Sequence, residues 1–185
     1  GGRAVLPGGP RTSVGAPTWG GRTAPRVCLG GSGAGASPTS GHGLGLSILR
    51  PFWTADALKV VGYAMADHMR TSMVCQAIDM AARRCPVEKG VTVFHSDRGS
   101  QYTSQKFMDR LKTYGIRPSV GRTGVCWDNT WEESFNGTLK KERVHRIVYP
   151  TKGKAINDIA SWIELRCNHV RLHSALGYRT PNEAE

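Results

Sequence analysis

An α/β layer fold is predicted by three features of the sequence. Short apolar runs with strand character, VVGYAMAD (60–67) and VTVF (91–94), alternate with segments of helical period. Pro86, Gly90 and Pro118 punctuate the chain between them. With 185 residues, 39% of them hydrophobic, the chain can bury one sizeable core. Strands that alternate with helices make a sheet covered by helices.

The elements follow in order. Residues 1–52 stand apart: 14 of the 23 glycines and five of the ten prolines precede residue 51, and no Asp, Glu or Lys occurs before Asp56. Such a segment buries too little apolar surface to offset its ordering entropy, so it is expected to be disordered. Competing readings are an Arg-bearing DNA-binding arm and translation of GC-rich DNA outside the native frame. A second region runs from 53 to 185. VVGYAMAD is its first strand. RTSMVCQAIDMAARR sets Met73, Val74, Ala77, Ile78 and Ala81 on one helical face, with Thr71 or Ser72 as the cap. VTVF is a short buried strand. Ser104 caps a helix in which Phe107, Leu111 and Tyr114 recur at i, i+4, i+7. GIRPSVG holds Ile116 and Val120 in an edge strand, where Pro118 is tolerated. Asp128 or Asn129 opens a helix carrying Trp131, Phe135, Thr138 and Leu139. A last helix, about 153–170, carries Ala155, Ile159, Trp162 and Ile163.

The formal charge of +11 points to a polyanionic partner, most simply nucleic acid. The five cysteines are scattered and form no CxxC pair, which argues against a zinc site or a disulfide framework and for a reducing cytoplasm. No stretch approaches the ~18 apolar residues of a membrane span, so no membrane partner is expected.

Within FHSDRGSQYTS (94–104), Asp97 follows the strand VTVF, beside Gly99, which admits a close backbone. Thirty-five residues lie between it and Glu133, in the first turns of the TWEESF helix. A carboxylate at a strand end and another on a helix can hold a hard divalent cation. Two such ions clamp the oxygens of a phosphoryl transfer. His95 shares the face of Asp97 if the strand persists. Lys140, seven residues after Glu133, lies two turns along the same helix face, where it could meet a phosphate. Plainer readings compete. Asp97 also suits a strand-end turn. Glu132 and Glu133 fit capping boxes with Asn129 and Thr130. Lys140, Lys141 and Arg143 also suit a solvated face.

FHSDRGSQYTS, GIRPSVGRTGVCWDNTWEESFNGTLKKE and RLHSALGYRTPNEAE stand in this order. Through them, residues from about 60 to 185 closely resemble the insertion-sequence transposases whose catalytic domain is similar to retroviral integrases. The resemblance implies an RNase H-like fold and a triad of two Asp and one Glu. That triad would bind two Mg2+ or Mn2+ ions and carry out DNA nicking followed by joining to target DNA. It makes Asp97 the second and Glu133 the third triad member, both metal ligands. It places Lys140 against DNA, with Lys141, Arg98 and Arg143 as basic neighbours.

The first triad Asp is expected about six residues ahead of Val60, where Thr54 stands. Asp56 is the nearest carboxylate, two residues out of register. Such a slip moves a side chain by about 6.6 Å at ~3.3 Å per residue. Asp56 completes the triad only if the strand slips or bulges by two. Asp67 is no substitute, and the family's preceding strand and helix-turn-helix region have no counterpart. Cys167 stands where the family more often has Tyr. The expectation is a truncated integrase-core domain over 53–185, a mixed sheet flanked by helices that lacks its first strand. Its activity would be DNA transposition by metal-dependent cleavage and strand transfer, absent in this chain alone. Its partners would be transposon-end and target DNA, and another copy or a full-length relative. Its setting would be the bacterial cytoplasm, at the nucleoid. The rivals are a non-catalytic DNA-binding remnant and a nuclease that hydrolyses without joining.

Overall fold

The computed structural model describes residues 27–30, 48–66, 70–96, 99–120 and 127–185. Five strands form one sheet: β1 (Val27–Gly30), β2 (Ile48–Thr54), β3 (Val60–Ala66), β4 (Val93–Ser96) and β5 (Arg117–Val120). Their spatial order is β3-β2-β1-β4-β5. β2 runs antiparallel to both β1 and β3, while β1, β4 and β5 are mutually parallel. The helices are α1 (Thr71–Arg84), α2 (Gln105–Tyr114), α3 (Trp127–Leu139), α4 (Lys152–Ser161) and α5 (Pro181–Ala184). Wider π-helical turns extend α3 through Lys140–Val144 and α4 through Trp162–Cys167.

Two strands draw on the segment expected to be disordered. β1 and most of β2 lie within residues 1–52, and β1 is the middle strand, paired with β2 on one side and β4 on the other. The expectation of a missing first strand is corrected accordingly. VCLG owes its order to ladder partners on both edges, which neighbouring composition does not reveal. The rest of the 1–52 segment lies outside the described residues.

A bulge divides the side chains of the β2–β3 hairpin between two layers. Phe52 pairs with Gly62 and Trp53 with Val60, leaving Val61 as the extra residue. Phe52 and Val61 therefore join the layer with α1 and α2, which holds Met73, Val74, Ile78, Phe94, Phe107 and Leu111. Trp53, Val60 and Tyr63 join the layer with α3 and α4, which holds Phe135, Leu139, Ile159, Trp162 and Ile163. Gly62 is where α1 presses closest on β3. A Cβ there would collide with the Ala77 carbonyl and come within 2.8 Å of the Ala81 Cβ.

Local signals set several boundaries. The Ser104 hydroxyl accepts the Phe107 N–H at 3.4 Å and so caps α2, which ends on Gly115 at φ +70°. The expected cap on α1 does not form. Thr71 is already helical, and Arg70 occupies the cap position with no side-chain bond. Helix α3 starts at Trp127, so Asn129 and Thr130 lie inside its first turns, which removes the cap position that the capping-box readings required.

Candidate metal and DNA site

The sheet positions the site through β4. Phe94 anchors that strand from below, with its ring 4.9 Å from Phe52, 5.3 Å from Phe107 and 5.9 Å from Tyr102, centroid to centroid. Its end is fixed by buried Ser96 and by His95, whose Nδ1 lies 3.0 Å from the Ser119 Oγ on β5. Beyond it, a turn begins at Gly99, whose carbonyl accepts the Tyr102 N–H at 2.9 Å. Asp97 and Arg98 themselves lie outside the described residues.

Glu133 is exposed on α3. Phe135 and Leu139 turn inward at i, i+4, with the Phe135 ring edge-on to Trp53 at 5.7 Å and to Trp162 at 5.6 Å. Lys140 stands seven residues on, half-buried where the helix widens, and Lys141 is exposed. On this helix a carboxylate and a basic group thus share one continuous stretch.

Two other expected site residues are placed elsewhere. Asp56 lies in the tight β2–β3 loop, its carboxylate accepting the Ala57 N–H at 2.9 Å. That loop is closed by Leu58 at φ +53° and by two backbone bonds between Thr54 and residues 58 and 59. Thr54 is level with Cys28, and Cys28 with Phe94. Thr54 therefore stands about 6.6 Å from the level of Ser96 at ~3.3 Å per residue, and Asp56, in the loop beyond Thr54, lies past the opposite end of the sheet. The bulge does not help, because its extra residue is on β3. Arg143, expected as a DNA-facing neighbour of Lys140, pairs with Asp158 of α4 at 3.6 Å.

The strand that does run beside β4 is β1, with Leu29 in register with His95 and Gly30 with Ser96. None of Val27, Cys28, Leu29 and Gly30 carries a side-chain oxygen. Sequence counting looked for the first acid ahead of β3. The sheet order makes β1 the neighbour of the site. Among the described residues no group of three or more His, Cys, Asp or Glu could hold a metal ion.

Sequence reading also missed Glu142, the acid inside KKERV. Its Oε2 accepts the Trp162 indole N–H at 2.9 Å and the Arg166 Nε–H at 2.8 Å, and its Oε1 lies 3.7 Å from an Arg171 nitrogen. The Trp162 hydrogen bond, aided by these arginines, holds its carboxyl below the usual range. Glu142 and Arg143 thus bracket the basic segment onto α4. No periodicity signals such a pairing, since the partners lie about twenty residues apart.

Two models described as integrase core domain match the chain, over residues 57–126 and 114–181, and together span more than half of it. The transposase for insertion sequence element IS904 of Lactococcus lactis is 35% identical over 127 residues, covering 69% of this chain and 50% of that protein. Transposase InsF for insertion sequence IS3A of Escherichia coli is 32% identical over 140 residues, covering 76% and 47%. The chain spans about half the length of the curated relatives it matches. The fold is shared with the bovine immunodeficiency virus (BIV) integrase core, at TM-score 0.60 and 17% identity, covering 86% of this chain and 92% of that one. It is shared too with the HTLV-2 integrase core in complex with magnesium, at TM-score 0.59 and 15% identity, covering 87% and 96%. Among the described residues no helix is long and apolar enough to cross a membrane. The chain belongs to the integrase core family, with the RNase H-like fold of that family and the insertion-sequence transposases as its relatives.

Proposed function

We propose that this chain acts on DNA as the integrase-core portion of an insertion-sequence transposase, and that alone it binds DNA without completing strand transfer. One observation carries the second half of that reading. The strand beside β4 has no carboxylate, and neither does any residue before Asp56.

A divalent ion at such a site supplies charge stabilisation on phosphoryl oxygens and an activated water. Asp97 and Glu133 would hold it, and their oxygen donors suit Mg2+ or Mn2+. These residues fit one weakly held ion. They do not fit two, because among the described residues no third acid is placed to bridge a pair. Lys140 and Lys141 would position the duplex by its phosphates, without reading sequence. Association with another copy or a full-length relative belongs to the same reading.

The test is a nicking and joining assay on an end-containing oligonucleotide in Mg2+ or Mn2+, with Asp56→Ala, Asp97→Ala and Glu133→Ala alongside. No joined product is expected from any form. Efficient joining abolished by all three substitutions would overturn the incomplete-site reading. Binding is tested separately in a filter assay across salt. Affinity should fall steeply as counterions are released, and Lys140→Ala should flatten the slope by about one unit. An unchanged slope would remove Lys140 from the interface.

A further inference from the structure

The loop from Asn168 to Thr180 is built to display a tyrosine. Its two ends are pinned at the β3 edge of the sheet. Buried Asn168 accepts the Val60 N–H at 3.0 Å and donates to the Val60 carbonyl at 2.9 Å, standing where a further strand would pair. Its own carbonyl accepts the Asn182 N–H at 3.1 Å. Thr180, also buried, closes the other end by a reciprocal capping box with Glu183. Within the loop, the His173 N–H bonds the Arg179 carbonyl at 3.1 Å and the Tyr178 N–H bonds the His173 carbonyl at 2.9 Å. The Arg179 Nε–H bonds the Leu176 carbonyl at 3.1 Å.

At the tip, Tyr178 takes φ +60°, directly after Gly177 at φ +65°. A bulky residue is strained in that region, whereas glycine is not. The ring recovers nothing by burial, because Tyr178 is 73% exposed. Leu172 and Val170, earlier in the same loop, are exposed as well. The backbone network over-determines a conformation that the side chain itself disfavours, which is how strain persists at functional positions.

The chemistry of the segment indicates its occupant. Residues 165–182 contain no Asp or Glu, but include Arg166, Arg171, Arg179, His169 and His173. Arg166 and Arg171 lean on Glu142, while Arg179 is held at the tip. A second copy of a chain with charge +11 would bring like charges together. A polyanion with open aromatic faces fits instead. Bases stack on exposed aromatic rings irrespective of sequence, and neighbouring cations take the phosphates.

We infer that the Tyr178 tip is a second nucleic-acid contact, apart from the Glu133–Lys140 helix, which stacks an unpaired base on the ring and sets Arg179 by the adjacent phosphate. The inference rests on the DNA-binding reading above and adds to it single-stranded or frayed nucleic acid as the ligand. It is tested by fluorescence anisotropy with a labelled single-stranded oligonucleotide and a blunt duplex. The proteins compared are the full chain and its Tyr178→Ala, Tyr178→Phe, Tyr178→Gly and Lys140→Ala forms. Tyr178→Ala should weaken single-strand binding about tenfold and change duplex binding by less than about twofold. Tyr178→Phe should bind like the parent. Tyr178→Gly relieves the strain, so its melting temperature should hold or rise while its single-strand affinity matches that of Tyr178→Ala. Parent-like single-strand binding by Tyr178→Gly would overturn the inference. So would a Tyr178→Ala chain that loses self-association in sedimentation and keeps its DNA affinity, which would make the occupant a second copy. If the parent binds duplex with a steep salt slope and no Tyr178 change matters, only this contact fails. If the parent binds neither probe, the DNA-binding reading fails with it.

Discussion

On the face of the sheet covered by α1 and α2, Phe52, Phe94, Tyr102 and Phe107 meet edge to face or tilted, with centroids 4.9 to 6.4 Å apart. On the face covered by α3 and α4, three aromatics with polar tips find carboxylates. The Tyr63 hydroxyl donates to Glu164 at 2.9 Å, Tyr149 to Asp158 at 2.6 Å, and the Trp162 indole to Glu142 at 2.9 Å. Arginines complete each group: Arg84 on Glu164, Arg143 on Asp158, and Arg166 on Glu142. The first face is held chiefly by non-directional burial, with one such group at its margin, where the Tyr114 hydroxyl donates to Asp79 at 2.9 Å beside Arg110. The second adds directional bonds that fix how α3 and its basic extension sit. β4 packs in the first layer through Phe94 and α3 in the second through Phe135 and Leu139, so the two elements are supported by different physics.

The comparison breaks most severely at Phe107. It is fully buried, and Phe107→Ala should cost about 3–5 kcal/mol by loss of transfer energy and a residual cavity. Urea denaturation should show the lower midpoint, and the fraction still folded should bind DNA as the parent does. A loss of only ~1 kcal/mol would mean the aromatic layer repacks freely.

A middle-sized effect should come from the other face. Trp162→Phe keeps most of the ring but removes the donor to Glu142, at a cost of about 1–3 kcal/mol. Here DNA affinity should fall beyond what the folded fraction explains, because the Lys140–Val144 segment loses its bracket. Equal DNA affinity per folded molecule for Phe107→Ala and Trp162→Phe would erase the distinction between the faces.

The same bracket has a sign in pH. The folded pKa of Glu142 lies below its ordinary value, so its stabilising contribution is fully present above the ordinary carboxylate range. It is lost as pH falls through the lower folded value. Glu142→Gln should therefore flatten the acid limb of stability against pH while leaving its shape near neutrality unchanged. Melting curves from neutral pH down to pH 3 check this, and an unchanged acid limb would assign the acid loss to other carboxylates.

The smallest effect concerns Cys167, which is buried, with its thiol pushed up to about 11 by that burial. At pH 8 it should resist alkylation in the native chain and react once urea unfolds α4. Peptide mass mapping reads the difference directly. Rapid native labelling would place the second layer in frequent local opening.

Much of the fold was legible because its cause is local. Periodicity marked Met73, Val74, Ala77, Ile78 and Ala81 on α1 and Ala155, Ile159, Trp162 and Ile163 on α4 and its extension, and all are buried. Ser104 was readable as a cap from its place before an apolar helical repeat. Of the two apolar residues expected in the edge strand, Ile116 is buried but lies just before β5, and Val120 ends that strand exposed. β1 was not legible, because a four-residue strand among glycines has no period to detect. Nor was the pair of hydrogen bonds between Asn168 and Val60, whose partners are 108 positions apart.

By itself the sequence determined the order of the three motifs, the helical faces, the basic balance and the lack of any acid before Asp56. These follow from residue type and spacing along the chain. Tertiary structure decided which strand lies beside β4, that Asp56 sits at the far end of the sheet, that Arg143 serves Asp158, and that Tyr178 is held exposed under strain. Each of these depends on strand order and register, and on partners brought together only when the sheet and its layers close. Spacing along a chain does not encode which edges will meet, because pairing is selected by burial and hydrogen bonding across the whole fold.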